Sequence, residues 1–341
     1  MSILEFPDFV QLNHVVGSTR LSLESQPRFK NVSTSSIPAI GPAAESYDRE
    51  YTYKLSDSLF AGKRTFSLSI SKAAYEYCTN RPRIRGEYGF YGADPLNDAL
   101  AKEIAVTLEK SHGRGSRDAV TAAIRFVQSM KYTSDSVTAR MDEYQRYPIE
   151  TLVEEGGDCE DSAILLGSIL KQMGYGVKGL LLPGHMALGI KGSDDISGTY
   201  YNYNGDRYYY IETTGSGWGV GDMPDEYRSS KARLVDLYGY PVMNYSVSSM
   251  ALSGSAPTYM YSIANNGDAT ARNVVVTTTY RDSSGQIING ERNTISTISL
   301  GGAKSLAVSM LSPPRSQAVS LHTEVTVAGK TQVSHGTRLL Y

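Results

Sequence analysis

Residues Asp158 to Met173 read DCEDSAILLGSILKQM. Ala163, Leu166, Leu170 and Met173, with Ile169 beside them, recur at the spacing of one helix face, and Gly174 follows as the residue that ends such a helix. The text then changes period at once. VKGLLL reads as a buried strand, PG as a turn and HMALGI as the next strand, and RYYYIETT follows after a loop rich in Asp, Gly and Tyr. A helix this apolar, joined to strands by short turns, must bury itself against the sheet those strands form. This stretch therefore demands a mixed α+β domain.

On the N-terminal side, YTYKLSD and RTFSLSISK alternate apolar and polar side chains as half-buried strands do, with SLFAG as the turn between them. Leu96 to Lys110 places Leu100, Ile104 and Leu108 on one helix face, and SHGRG stops it. A second helix from Ser116 to Met130 turns Ala119, Ala122, Ala123, Phe126 and Val127 inward. KYTSDS breaks it, and a polar link from Arg140 to Tyr147 leads on to PIETLVEEGGDCED. Past NYSVSSMALSGSAP the helix signal ends. TYMYSIANNGDATARNVVVTTTYRDSSGQII, TISTISL, SLAVSML and AVSLHTEVTVAG are strands set apart by Gly, Asn and Asp turns, the spacing of a β-sandwich. The expected division is an extended leader over 1–50, a β-containing region over 51–95, a catalytic α+β domain over 96–250 and a sandwich over 256–341.

A chain of 341 residues exceeds the ~250–300 at which single cores stop growing, in keeping with that division. A formal net charge of -2 and the absence of a Lys/Arg run exclude an electrostatic footprint for nucleic acid. No stretch reaches the ~18 consecutive apolar residues of a membrane helix, so no transmembrane segment is expected. The first residues lack a basic segment followed by an apolar core, which favours the cytoplasm. The sandwich, a load of 25 tyrosines and the sequons at Asn31 and Asn244 favour a cell-surface setting instead. Two cysteines make no disulfide framework, and neither metal-ligand spacing nor a calcium loop is present, so no metal or cofactor is expected.

The chemistry concentrates at Cys159, first in the helix just described. Unpaired amides at a helix start can stabilise a thiolate and also the oxyanion of a tetrahedral intermediate. Asp158, Glu160 and Asp161 oppose the thiolate by like charge, so a cationic partner is needed. His185, at the start of the second strand, can return beside that helix start and act as base and then acid. Glu212, on the next strand, can accept the ring N–H of His185, and Asp206 is the second choice. Cys78 follows a strand with no nearby histidine and reads as structural. The tyrosines from Tyr200 to Tyr210 form either a stacking platform or ordinary strand packing; Tyr203 and Tyr208, with Trp218 beyond, are the substrate-binding candidates.

The ordered blocks GGDCEDSAILLGSILKQMGY, PGHMALGI and YYYIETT resemble the transglutaminase-like superfamily of papain-type cysteine enzymes, in particular its archaeal and bacterial members, over about Tyr51 to Pro224. FVQSMKYTSD and YPIETLVEEGGDCED add to the likeness. The resemblance implies a papain-like core with Cys159 as nucleophile, His185 as base and Glu212 as the orienting acid, where most members carry Asp. It also calls for a side-chain oxyanion donor, for which Gln145 and Tyr144 are the candidates. NNGDATARNVVV and YRDSSGQII look like an immunoglobulin-like, cell-adhesion-related domain. Together these imply a thiol acyl-transfer enzyme, a peptidase or amidase rather than a cross-linking transferase, acting on a protein or peptide substrate such as one of the cell envelope. The alternative is a catalytically silent peptide- or glycan-binding surface module.

Overall fold

A computed structural model of the chain describes residues 9–10, 12–15, 45–56, 62–134, 144–253, 256–311 and 319–339; for 9–10, 12–15, 248–253, 256 and 337–339 it describes the backbone alone. The SLFAG turn (apart from Gly62), the sequon at Asn31 and most of the 1–50 leader lie outside these residues. The fold is mixed: helices and a strand-built sheet in the first part, strands alone in the last.

Strands β1 (Phe9–Val10) and β2 (Leu12–Val15) belong to a seven-stranded sheet with β7 (Val177–Leu182), β8 (His185–Gly192), β9 (Gly198–Tyr203), β10 (Asp206–Ile211) and β11 (Ala232–Val235). The order is β1-β11-β7-β8-β10-β9-β2. One residue separates β1 from β2 in sequence, yet they hold opposite ends of that order. The sheet must therefore curl until its edges meet, in the manner of a barrel. Part of the expected leader thus closes the sheet.

Alternation along these strands gives the sheet two apolar faces. Leu180, Leu182, Ala187, Tyr201, Tyr208, Tyr210 and Leu234 form one cluster. Met186, Leu188, Ile190, Tyr200, Tyr209 and Ile211 face the helices instead. Both faces are covered, which is why these strands read as nearly continuous apolar runs.

The helices are α1 (Lys72–Thr79), α2 (Tyr88–Gly92), α3 (Pro95–His112), α4 (Arg117–Gln128), α5 (Pro148–Glu154) and α6 (Cys159–Gln172). Pro95 and Pro148 each open a helix where a missing N–H costs nothing, and Ser116 caps α4 by accepting the Ala119 N–H at 3.0 Å. Helix α6 is buried on every side: Ile164 and Leu165 are as enclosed as Ala163, Leu166, Ile169 and Leu170. At Gly167 an added Cβ would lie 2.6 Å from Leu237, so the glycine admits that close approach. Gly174, at φ +95°, lets the chain leave the helix as the sequence requires. Cys78 sits inside α1 rather than after a strand, fully buried in the same core. The hairpin of β3 (Ser46–Leu55) and β4 (Gly62–Ser71) covers α4, with Tyr51 and Phe66 edged against Phe126.

The sandwich packs a three-stranded sheet, β12 (Met243–Ser253), β13 (Ala256–Asn265) and β16 (Ala303–Ser309), on a four-stranded one, β15 (Ile287–Ile298), β14 (Ala271–Arg281), β17 (Val319–Val327) and β18 (Lys330–Leu339). Its core holds Tyr259, Tyr261, Val274, Val276, Tyr280 and Val325, with the Tyr259 and Tyr280 hydroxyls 2.7 Å apart. Met243–Ser253 pairs along its whole length with β13. The sandwich therefore begins near Met243, upstream of the expected boundary at Ala256. No helix among the described residues is long and apolar enough to cross a membrane.

Candidate active site

Two glycines and a buried ion pair place Cys159. Gly156 and Gly157 form the short strand β6, which pairs in parallel with Lys131 and Tyr132, the short strand β5. A Cβ on Gly156 would come within 2.6 Å of the Lys131 carbonyl oxygen, and one on Gly157 within 2.6 Å of the Asp161 Cβ. Only glycine fits at either position. Asp161 accepts the Arg146 backbone N–H and guanidinium at 2.7 Å each, and its carboxylate also takes the Asp158 N–H at 3.3 Å. Asp158 and Asp161 form a capping box over the first turn of α6. The acids flanking Cys159 are thus divided in role: Asp158 and Asp161 build the helix start, and Glu160 faces the thiol.

The Cys159 sulfur donates to Glu160 Oε2 at 3.2 Å and receives the backbone N–H of Met186. Burial, and then the Glu160 carboxylate, push the thiol well above the ordinary cysteine range; the Met186 N–H works the other way. The balance favours the protonated thiol.

The turn Pro183–Gly184, with Gly184 at φ +68°, reverses the chain so that His185 opens β8 opposite Leu182. His185 Nε2 lies 3.1 Å from Glu212 Oε2. Glu212 follows β10 directly and is satisfied on both oxygens. Oε2 also accepts the Tyr210 hydroxyl at 2.6 Å, and Oε1 accepts the Thr214 N–H at 2.9 Å and its hydroxyl at 2.7 Å. Burial alone would raise its pKa, but the His185 bond and charge with the Tyr210 and Thr214 donors outweigh burial and hold it below the usual glutamate value. An ionised carboxylate only accepts, so Nε2 carries the proton. Whenever the ring is neutral, Nδ1 is then the nitrogen with the lone pair. Tyr227, on a 3-10 turn at Asp225–Tyr227, stacks on the imidazole at 4.9 Å and 10°.

The other candidates are engaged elsewhere. Asp206 opens β10 at the end remote from Glu212 and pairs with Lys191 at 2.9 Å. Tyr144 donates to Glu150 Oε2 at 2.8 Å and lies under the Arg83 guanidinium. Gln145 is buried, with its amide oriented to bond the Ile84 carbonyl and the Gly86 N–H. These two residues brace the loop before α5. The donors nearest Cys159 in the chain are the first backbone amides of α6, which have no partner within the helix ladder. Tyr203 and Tyr208 pack edge to face within the sheet's own cluster, Tyr208 being buried there. Trp218 stands on the loop after Glu212, where Arg125 and Gln128 of α4 hold its carbonyl at 2.7 and 3.0 Å. Gln128 also bonds the Glu212 carbonyl at 2.8 Å.

Sequence reasoning missed Tyr210, Thr214 and Tyr227. The first two carried a signal, since residues two apart in YYYIETT share a side of an extended chain. Tyr227 carried none. Among the described residues, no group of three His, Cys, Asp or Glu side chains is arranged to hold a metal ion.

No family model matches this chain. No curated protein matches it either. Among solved structures, a β-glucuronidase from glycoside hydrolase family 2 aligns at 10% identity over 49% of this chain and 21% of its own, with a TM-score of 0.24. Legionella pneumophila LapG aligns at 18% identity over 42% of this chain and 83% of its own, with a TM-score of 0.31. β-Glucosidase 3B from Thermotoga neapolitana aligns at 13% identity over 32% of this chain and 18% of its own, with a TM-score of 0.19. The chain thus spans about a fifth of the two glycosidases. The relation to LapG is a distant structural one, and no residue role is taken from any of the three.

Proposed function

We propose that the chain is a thiol acyl-transfer enzyme acting on amide or peptide bonds, with Cys159 as nucleophile, His185 as base and Glu212 as the orienting acid. The observation that carries this is the 3.1 Å bond from His185 Nε2 to a fully satisfied Glu212, beside a cysteine whose sulfur touches the residue after His185. The sulfur attacks a carbonyl carbon as its proton passes to Nδ1, and the carbonyl electron pair moves to oxygen, facing the first amides of α6. Collapse breaks the C–N bond, and the Nδ1 proton goes to the leaving amine. Water or a second amine then resolves the thioester. The transglutaminase-like sequence blocks and the curled sheet beside a buried helix support a papain-like core, and the sandwich supports an immunoglobulin-like second domain.

Because burial and Glu160 favour the protonated thiol, His185 acts during attack and not through a standing ion pair. The test is acylation by an activated peptide ester, followed by intact mass and peptide mapping. The expected adduct sits on Cys159, disappears in Cys159→Ala and forms at least about a hundredfold more slowly in His185→Ala. An adduct whose rate ignores His185 sinks the proposal.

A second reading is a silent peptide- or glycan-binding module. The Glu160 contact, which keeps the thiol neutral, favours it. Absence of any Cys159 adduct, together with saturable peptide binding, selects this reading.

A further inference from the structure

We propose that Tyr227 is a positioning residue for His185, holding the imidazole so that Nδ1 faces Cys159 while Nε2 stays on Glu212. The inference deepens the acyl-transfer reading of the site and rests on it. Its starting point is geometric. The Glu212 bond restrains the imidazole only in the ring plane, through one nitrogen. A single hydrogen bond leaves the ring free to tip about that contact. The Tyr227 ring, parallel to within 10° at 4.9 Å, closes one face and removes that freedom.

The tyrosine is itself held. Its N–H donates to the Pro224 carbonyl at 3.0 Å, and its carbonyl accepts the Ser230 N–H at 2.8 Å. The Ser230 carbonyl in turn accepts the Tyr201 hydroxyl at 3.0 Å, and Tyr201 is fully buried in β9. The stack is therefore anchored to the sheet by a chain of bonds, although the turn lies on the surface. The preceding Met223 is buried in the same cluster as Tyr201.

The chemistry gains from this at one moment. When the sulfur gives up its proton, the ring becomes a cation, and an aromatic face against it is attractive in a way that an aliphatic cover is not. The charged and titratable groups around the pair are Glu212 behind the ring, Cys159 and Glu160 at the start of α6, Tyr210 on β10, and Asp225 and Glu226 on the turn itself. Of these only Glu212 bonds the imidazole, and the tyrosine supplies the remaining restraint.

The experiment compares Tyr227→Ala and Tyr227→Phe with the parent chain in two measurements. The first is the dependence of Cys159 acylation on ester concentration. We expect Tyr227→Ala to lower the maximal rate about tenfold with the half-saturating concentration unchanged, and Tyr227→Phe to stay within about twofold, because the ring and not the hydroxyl does the positioning. The second is the low-field proton signal of the His185 ring N–H. It should vanish into solvent exchange in Tyr227→Ala and persist in Tyr227→Phe. Parent-like rate and signal in Tyr227→Ala overturn the proposal, and so does a phenylalanine variant as impaired as the alanine one. If the parent chain forms no adduct, the acyl-transfer reading fails, while the ring N–H signal still decides whether Tyr227 holds His185.

Discussion

The Cys159 thiol donates to the carboxylate of Glu160, its neighbour in sequence, at 3.2 Å. The same carboxylate is second only to burial among the groups that raise the thiol pKa. Removing its charge lowers that pKa, and each unit of lowering increases the thiolate fraction tenfold at any pH below it. Glu160→Gln should therefore speed alkylation of Cys159 by iodoacetamide several-fold at pH 8, read by peptide mapping. Cys78, fully buried, is the internal control and should stay unlabelled in the folded protein. An unchanged Cys159 rate would show that Glu160 does not govern the thiol.

Glu212 gives a pH signature. Its folded pKa lies below the ordinary 4.5, so the ionised form is the one the fold favours. The stabilisation is fully present above pH 4.5 and is lost as the pH falls through the lower folded value. Glu212→Gln keeps the shape and removes the charge. Its melting temperature should lie below that of the parent at pH 7, and the gap should narrow steadily toward pH 3. A gap that stays constant with pH would mean that the carboxylate charge contributes nothing to the folded state.

Much of this site was legible in the chain. The helix start at Cys159, the strand start at His185 and the strand-end Glu212 follow from period and punctuation, because fully covered helices and strands write their burial directly into sequence. What was not legible depends on long-range closure. Phe9–Val10 and Leu12–Val15 lack a period of their own because each adds only a short edge to a sheet built elsewhere. Helix α5 was lost because its seven residues are too few to display a repeat. Tyr144 and Gln145 read as site residues by proximity to Cys159 in sequence, but their side chains bond the loop around Arg83 to Gly86. Tyr208 illustrates the opposite error, since an aromatic run that resembles a binding platform is consumed by the sheet's own interior.

Asp161 tests whether the helix start depends on a buried charge pair. Arg146 and Asp161 are 1% and 0% exposed, and the aspartate takes both the guanidinium and the backbone N–H of its partner. Removing Asp161 leaves the buried Arg146 with Glu154, at 2.9 Å, as its remaining counter-ion, so the cost should fall below the ~3–5 kcal/mol of a fully uncompensated buried charge. Asp161→Ala should lower the urea midpoint by the corresponding amount. Asp161→Asn, which retains an acceptor for the backbone N–H, should fall between it and the parent. Equal stability of all three proteins would remove the ion pair from the account of how Cys159 is placed.

Gly157 links stability to the thiol in a single position. It has no left-handed backbone requirement, so alanine meets no conformational strain there; the obstacle is space, with Asp161 Cβ at 2.6 Å and Oδ2 at 2.7 Å from the added methyl. The neighbour that must yield is a capping residue tied to Arg146 and Asp158, and it cannot swing aside without breaking those bonds. Gly157→Ala should therefore destabilise the chain by about 1–3 kcal/mol, the range for forcing extra volume into a packed site. It should also slow Cys159 acylation beyond the effect on stability, because the displaced residue carries the first turn of α6 and with it the amides that face the oxyanion. The decisive comparison is the acylation rate at a temperature where both proteins are fully folded. A variant that is destabilised but acylated at the parent rate would detach the glycine pair from the chemistry and leave it a packing device.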